Sequence, residues 1–460
     1  MNHYEQYKRM IKFLSSSVIV LLEVGIYWIV WNYYYNTIIE FPFFRRGNWL
    51  MVFLYGILLL FFMKTYGGFK IGTLKKGHII YAQILSCFFV NVITYLQIAL
   101  LDKKFHSMTV ILWMTFAEVF CIIIWAFAFN WFYARLFPQR KLLLVYGDRP
   151  AFNLMEKINS REDKYLISGA LNIEIGVESI MMAARNYEGV ILGDVPAHDR
   201  NALMKRCFAE GIRTYTVPKI SDILLRSSEE LNIFDSPLFL SRNEGMHFEQ
   251  RIVKRLIDII CAGVMLVATS PFFLLIAVSI KLTDGGPVFY KQKRLTKWRK
   301  TFDIYKFRTM IQDAEKMGAQ LASENDPRIL PVGRLLRATR LDELPQLINV
   351  LKGEMSMVGP RPERPELAEE IERDIPEFSY RLMVKAGLTG YAQIYGKYNT
   401  TSYDKLKLDL TYIRNYSVWL DLKLMIMTPK IMFMKESTEG FKNEDCQEEG
   451  IRQAAMSEER

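Results

Sequence analysis

The chain has 460 residues, 51% of them hydrophobic and 23% charged, with a formal net charge of +10. This length exceeds one small domain, the apolar share points to membrane segments joined to soluble domains, and the positive balance favours anionic partners without choosing among lipid, nucleotide and nucleic acid. Five scattered cysteines, Cys87, Cys121, Cys207, Cys261 and Cys446, form no CxxC pair and accompany no histidine cluster, which excludes a zinc module of the usual spacing; they read as reduced and structural.

Four apolar runs come first, at residues 13–35, 49–63, 78–101 and 108–133, most of them near the ~20 residues needed to cross a bilayer. The second is the shortest. No small-residue cleavage site follows the first, so it is expected to remain as an anchor. Basic residues before the first run, at 64–76 and at 135–141 outweigh Arg45, Arg46, Lys103 and Lys104, which by the positive-inside rule puts both ends of this bundle in the cytoplasm. Glu23 lies within the first run, where an acid is costly: it is either functional, or bonded to a neighbouring helix or reaching the interface.

From residue 141 short apolar runs, LLLVYG, YLISGAL, GVILGD and IRTYTVP, alternate with helical segments. This pattern predicts a Rossmann-like parallel α/β domain over 141–242. Its first turn, YGDRPAF, offers Gly147 but no GxGxxG, so a regulatory or packing role is expected rather than dinucleotide binding.

The apolar stretch 254–281 is long enough to span, yet a spanning helix would carry everything after it out of the cytoplasm. Ser270 and Pro271 interrupt it near the middle. Proline removes a backbone donor and breaks the helix, and Ser270 is placed to satisfy what is freed, so a re-entrant helix-break-helix is expected. The remainder of 243–434 is mixed α and β: PVFYKQ and FDIYKF are strand-like, and residues 419–427 form a short apolar helix expected to stop at Pro429 and lie in the membrane interface. The tail, 435–460, is polar and largely acidic and is expected to be disordered.

Within 337–363, RATRLDELPQLINVLKGEMSMVGPRPE, the spacing of Leu344, Leu347, Ile348 and Leu351 predicts a helix with Gly353 as its C-terminal stop. Asp342 and Glu343 fall at its start, where Asp342 is a natural N-cap and the helix end favours ionised carboxylates. Their company suggests more than capping. Arg337 and Arg340 precede them, and Arg361 sits between Pro360 and Pro362, which fix its backbone for a fork onto phosphate oxygens. An ionised carboxylate among arginines is a nucleophile needing no general base, and its neighbour can hold Mg²⁺ against a diphosphate. The constellation fits phosphoryl transfer through an acyl phosphate. The basic run 291–300, KQKRLTKWRK, lies just after the membrane segment and reads as attraction to lipid headgroups rather than nucleic acid, with Lys291 and Arg294 as candidate phosphate contacts.

On the ordered blocks KRLIDIICAG, SPFFLLIA, YKFRTM, NDPRI, LDELPQLINVLKGEMSMVGPRPE, GLTGYAQ and LDLTYIRNYSVWLDL, residues 251–433 resemble the bacterial sugar transferases, the monotopic polyprenyl-phosphate phosphoglycosyl transferases. The front end resembles the large form of that family, with a four-helix transmembrane bundle over 1–140 and a CoA-binding-like α/β domain. The resemblance implies that Asp342 accepts a sugar phosphate from a UDP-sugar with release of UMP. It implies further that Glu343 helps hold Mg²⁺ and that undecaprenyl phosphate then attacks the intermediate. It also implies phosphate-facing roles for Arg337 and Arg361, a membrane re-entry at Ser270 and Pro271, an inner-membrane location with a cytoplasmic catalytic domain, and the opening step of exopolysaccharide, capsule or O-antigen synthesis. The chain departs from the family pattern at Thr296, Arg340 and Ala386, differences that bear on local loop shape and sugar choice and leave Asp342 and Glu343 themselves in place.

Two other classes compete. The large front half suits a catalytically silent scaffold of polysaccharide assembly, or a homodimer. Tyr403 and Lys407 have the YxxxK spacing of a nucleotide-sugar oxidoreductase, although no glycine-rich dinucleotide turn accompanies them.

Overall fold

Long apolar stretches can satisfy their backbone in lipid only by coiling, and the front of the chain does so. The computed structural model describes residues 4–147, 152–159, 161, 164–233, 235–242, 245–311, 326, 328–396 and 400–432. The chain folds as two units, Met1–Val217 and Pro218–Arg460. Cys446 and the tail lie outside the described residues.

In the first unit, α1 (Lys8–Val30) continues through a π-helical turn, Trp31–Tyr35, into the short α2 (Asn36–Ile38). It is followed by α3 (Arg46–Tyr66), α4 (Lys76–Asp102) and α5 (Thr109–Leu136). These make four helical segments long and apolar enough to cross a membrane. The short second run is extended at both ends to 21 residues and stopped by Gly67, whose left-handed φ of +82° favours glycine. Phe13, Leu21, Leu100, Trp113 and Phe116 point outward, while Tyr27, Tyr55, Leu59 and Ile122 are buried between the helices. An apolar exterior over an interior that also holds polar residues is what lipid solvation selects.

The α/β part follows as β1 (Arg140–Tyr146), α6 (Phe152–Asn159), β2 (Tyr165–Asn172), α7 (Val177–Ala184), β3 (Gly189–Leu192), α8 (Ala197–Ala209) and β4 (Thr214–Thr216). Its four strands form a parallel sheet in the order β2-β1-β3-β4. Leu142, Leu143, Leu144 and Val145 are all buried, as an unbroken apolar run on a central parallel strand requires. Any side chain at Gly147 would overlap the carbonyl oxygen of Asp194. Close packing therefore accounts for that glycine.

The second unit begins with α9 (Ile220–Arg226) and the hairpin β5 (Glu229–Ile233)–β6 (Ser236–Leu240). Ile220 and Ile223 pack with Phe378, Leu406 and Leu410, so residues after 217 stand with the second unit, ahead of the expected boundary at 242. Next come α10 (Phe248–Asp284), the antiparallel pair β7 (Phe289–Leu295) and β8 (Thr301–Phe307), α11 (Pro331–Ala338), a 3-10 turn Leu341–Glu343 and α12 (Gln346–Lys352). The chain closes with β9 (Ser356–Val358), α13 (Pro365–Asp374), a 3-10 segment Pro376–Met383, β10 (Gly387–Thr389), α14 (Tyr391–Tyr395), α15 (Ser402–Arg414) and α16 (Val418–Met432). Strands β9 and β10 pair in parallel. Helix α16 runs through Pro429 rather than stopping there.

Helix α10 has 37 residues with Pro271 inside and is the fifth helix apolar and long enough to span. Its first half buries Ala262 with Leu347, Val350, Met357 and Val358. Its last third buries Ile276 and Ile280 with Phe307 and Leu336, and Leu344 packs against both groups. Between these anchors Val264, Val267, Phe272, Leu274 and Leu275 are exposed.

Candidate active site

The acidic pair sits where three elements meet. Arg340 adopts a left-handed φ of +54° between α11 and the turn that carries Asp342 and Glu343. Helix α12 starts only at Gln346, with Pro345 at its N-cap and no capping side chain. Asp342 is therefore not a helix cap: the left-handed residue before it and the missing donor of Pro345 after it confine the pair to a separate turn. Gly353 does end α12, in the left-handed conformation the sequence implied. Asn349, fully buried, ties α12 to β8: it accepts from the Tyr305 amide at 3.0 Å and donates to the Asp303 carbonyl at 2.8 Å.

The two carboxylates have different surroundings. Glu343 Oε1 receives Lys306 Nζ and Arg361 Nη2, each at 3.0 Å, while Oε2 accepts no hydrogen bond among the described residues. Burial opposes ionisation of Glu343, but Lys306, Arg361 and Arg340 overcome it and hold the carboxyl well below the usual range. Asp342 has no hydrogen-bond or ion-pair partner among the described residues. Burial raises its pKa, to about 6, helped by the neighbouring Glu343 anion and opposed by Lys306, Arg337 and Arg361. At neutral pH both are ionised, one clamped and one unclamped.

Arg361 projects from a loop held on several sides. The Gly359 amide donates to the Thr389 carbonyl at 2.9 Å, and the Gly387 amide to that of Pro360 at 2.9 Å. A side chain at Gly359 would overlap Lys385, so only glycine permits this approach. Arg294 donates to the carbonyl of Pro362 at 3.2 Å and to Gln292 Oε1 at 2.8 Å. From the other side the buried Arg381 donates to the carbonyl of Arg361 at 2.9 Å and pairs with the buried Asp409 at 2.8 Å.

Comparison with known proteins bears on this arrangement. Residues 249–435, which contain every group just described, match the bacterial sugar transferase pattern. That segment belongs to the bacterial sugar transferase family. Similar proteins include a UDP-N-acetylgalactosamine-undecaprenyl-phosphate N-acetylgalactosaminephosphotransferase of Aeromonas hydrophila, 35% identical over 54% of this chain and 59% of that one. An undecaprenyl-phosphate galactose phosphotransferase of Salmonella typhimurium is 36% identical over 48% and 49%. An undecaprenyl-phosphate glucose phosphotransferase of Komagataeibacter xylinus is 40% identical over 63% and 58%. The matches span about half the length of these relatives.

Among the residues expected in the sugar transferase site, Asp342, Glu343, Arg337 and Arg361 are brought together. Arg337 Nε donates to Thr309 Oγ1 at 2.9 Å and its charge faces Asp342. Arg294 supports the Arg361 loop rather than the carboxylates. Lys291 stays apart: it is exposed, lies over the Tyr305 ring at 5.3 Å and pairs with Tyr305 across the hairpin, on the face opposite Lys306. Lys306, one residue beyond Tyr305 in YKFRTM, is the lysine that reaches the pair. Tyr403 and Lys407 stack at 4.3 Å, and Tyr403 packs beside α9.

Sequence reasoning missed the groups that hold this arrangement from behind. Lys254 donates to Asp421 at 2.6 Å and to the Val358 carbonyl at 2.9 Å. Arg255 donates to the Val350 and Leu351 carbonyls at 2.6 and 2.7 Å, and Asp258 accepts from Ser356 Oγ and the Met357 amide, both at 2.9 Å. The signal was present: three charged residues at the head of an apolar run, at 254, 255 and 258, make sense only if that end of the helix meets a polar surface. Further along α10, Ser270 Oγ donates at 2.8 Å to the carbonyl of Val267. That carbonyl is the helix acceptor Pro271 cannot serve.

The donor set fits Mg²⁺. A Glu343 carboxylate oxygen left unengaged among the described residues suits a hard cation that completes its shell with water and substrate phosphate.

Proposed function

We propose that the chain transfers a sugar 1-phosphate from a UDP-sugar to undecaprenyl phosphate, releasing UMP, through a phosphosugar covalently held on Asp342. The observation that carries this reading is the asymmetry of the acidic pair: Glu343 is clamped by Lys306 and Arg361, and Asp342 has no hydrogen-bond or ion-pair partner among the described residues. An Asp342 oxygen attacks the sugar-bearing phosphorus, and the bond from that phosphorus to UMP breaks. A phosphate oxygen of undecaprenyl phosphate then attacks the same phosphorus, the acyl-phosphate bond breaks, and the Asp342 carboxylate is restored. Arg361 and Arg337 hold phosphate oxygens while negative charge shifts onto the leaving group. Glu343 would hold Mg²⁺, which when bound would supply charge neutralisation of the diphosphate and of the leaving oxygen.

The lipid acceptor requires this site at the membrane surface. Helix α10 runs unbroken through Ser270 and Pro271 rather than as the expected helix-break-helix; both its ends dock on the unit that carries Asp342, with an exposed apolar stretch around that Ser-Pro pair between them. This supports a helix that enters and leaves on one face, here the cytoplasmic face of the bacterial inner membrane, with α16 along the interface. The relatives named above act on N-acetylgalactosamine, galactose and glucose donors, so the reading extends to the reaction and not to one sugar. Its product would open a surface polysaccharide.

The test is a screen of UDP-sugars with the purified full chain, Mg²⁺ and undecaprenyl phosphate, following UMP. Release with at least one donor, abolished in Asp342→Asn, is expected; an Asp342→Asn protein that keeps full turnover overturns the reading.

A further inference from the structure

The transferase reading leaves one buried cluster unused, and it lies in the helical bundle. Glu23 on α1, Cys87 on α4 and Glu118 on α5 are each fully buried, and one ligand atom from each lies within 4.8 Å of the others. Glu118 is held from outside: Tyr55 donates to its Oε1 at 2.7 Å, and Asn91 to its Oε2 at 2.6 Å. Asn91 is itself braced by a 2.9 Å bond to Thr115 Oγ1. Glu23 is not satisfied. Among the described residues its Oε2 has only the Cys87 thiol at 4.0 Å, and its Oε1 is buried with no hydrogen-bond partner.

A carboxylate oxygen with no donor in an apolar bundle is costly, and among the described residues no lysine or arginine pairs with either acid. A cation resolves this, and the donors indicate which. A sulfur in the set disfavours Mg²⁺ and Ca²⁺, whereas zinc-class ions take sulfur and carboxylate oxygen together. Zinc bonds of ~2.0–2.3 Å place neighbouring donors roughly 4 Å apart or less, which small side-chain rotations reach from the observed spacing. Tyr55 and Asn91 already stand where outer partners orient a ligating carboxylate.

We propose that Glu23, Cys87 and Glu118 bind one divalent cation of the zinc class, tying α1, α4 and α5 together with a fourth position open. The site is independent of the transferase reading, since it contains none of the residues around Asp342.

The experiment strips the detergent-purified full chain with a chelator and titrates it with Co²⁺, then Zn²⁺. Metal per chain and the thiolate-to-cobalt charge-transfer absorption are read. One equivalent per chain is expected, with the absorption present in the wild type, absent in Cys87→Ser and lost on Zn²⁺ addition. Asn91→Ala, which keeps all three ligands, should weaken binding roughly 10- to 100-fold. A wild-type protein that retains no more metal than Cys87→Ser, or an absorption that survives in Cys87→Ser, overturns the proposal.

Discussion

Lys306 Nζ lies 3.0 Å from Glu343 Oε1 and is the strongest cationic influence on both members of the acidic pair. The β7–β8 register puts Lys306 and Lys291 on opposite faces of the hairpin, and Lys306 is on the face that meets the pair. Lys306→Ala should lower kcat for UMP release by roughly 10²–10³, the usual loss when one charged partner is removed from such a site. It should also raise the Mg²⁺ concentration needed for half-maximal rate, with partial recovery in Lys306→Arg. Titrating Mg²⁺ at saturating UDP-sugar checks this. Unchanged kinetics in Lys306→Ala would remove Lys306 from the site.

The pH profile follows from the raised pKa of Asp342. In the proposed mechanism only its carboxylate attacks, and burial raises its pKa to about 6, so UMP release should fall as pH drops through that region. An ordinary aspartate would hold its rate down to about pH 4. Lys306 opposes the upward shift, so the acid limb of Lys306→Ala should lie at still higher pH. Profiles of kcat/KM for the two proteins provide the comparison.

Arg294 acts on the loop rather than on substrate. With its bond to the Pro362 carbonyl gone, Arg294→Ala should loosen the placement of Arg361 and raise KM for the UDP-sugar about tenfold with a smaller change in kcat. A fall confined to kcat would instead put Arg294 in contact with the reacting phosphate.

Ser270 and Pro271 are tested by topology. Single cysteines at Glu249→Cys and Leu282→Cys, on the two exposed ends of α10, should both resist an impermeant thiol reagent applied outside the cell and both react in inverted vesicles. Labelling of Leu282→Cys from outside would mean that α10 crosses the membrane. Ser270→Ala, which leaves the Val267 carbonyl without its 2.8 Å donor, should cost about 1–3 kcal/mol of stability.

Much of this was legible in the sequence because the signals are local. The four apolar runs of the bundle, the alternating α/β segment, the strand character of β7 and β8 and the Gly353 stop all follow from periodicity or from a single residue type. The Ser270–Pro271 pair was readable because a proline's missing donor and its nearest hydroxyl lie within one turn. What escaped is non-local. Asp342 looks like a helix cap until the left-handed Arg340 and the late start of α12 are seen. Lys306 and Lys291 are equivalent as basic residues, and only the hairpin register separates them. Arg381 is 20 residues from Arg361, the residue whose carbonyl it holds, and the Glu23, Cys87 and Glu118 group joins three helices that no spacing rule connects.

The central claim is a covalent phosphosugar on Asp342, and it is tested most directly by incubating the full chain with Mg²⁺ and a turned-over UDP-sugar in the absence of undecaprenyl phosphate. Mass analysis should find a sugar-phosphate adduct on the peptide containing Asp342, formed in step with UMP and absent in Asp342→Asn. UMP release that begins only when the lipid acceptor is added, with no adduct at any time, would contradict it.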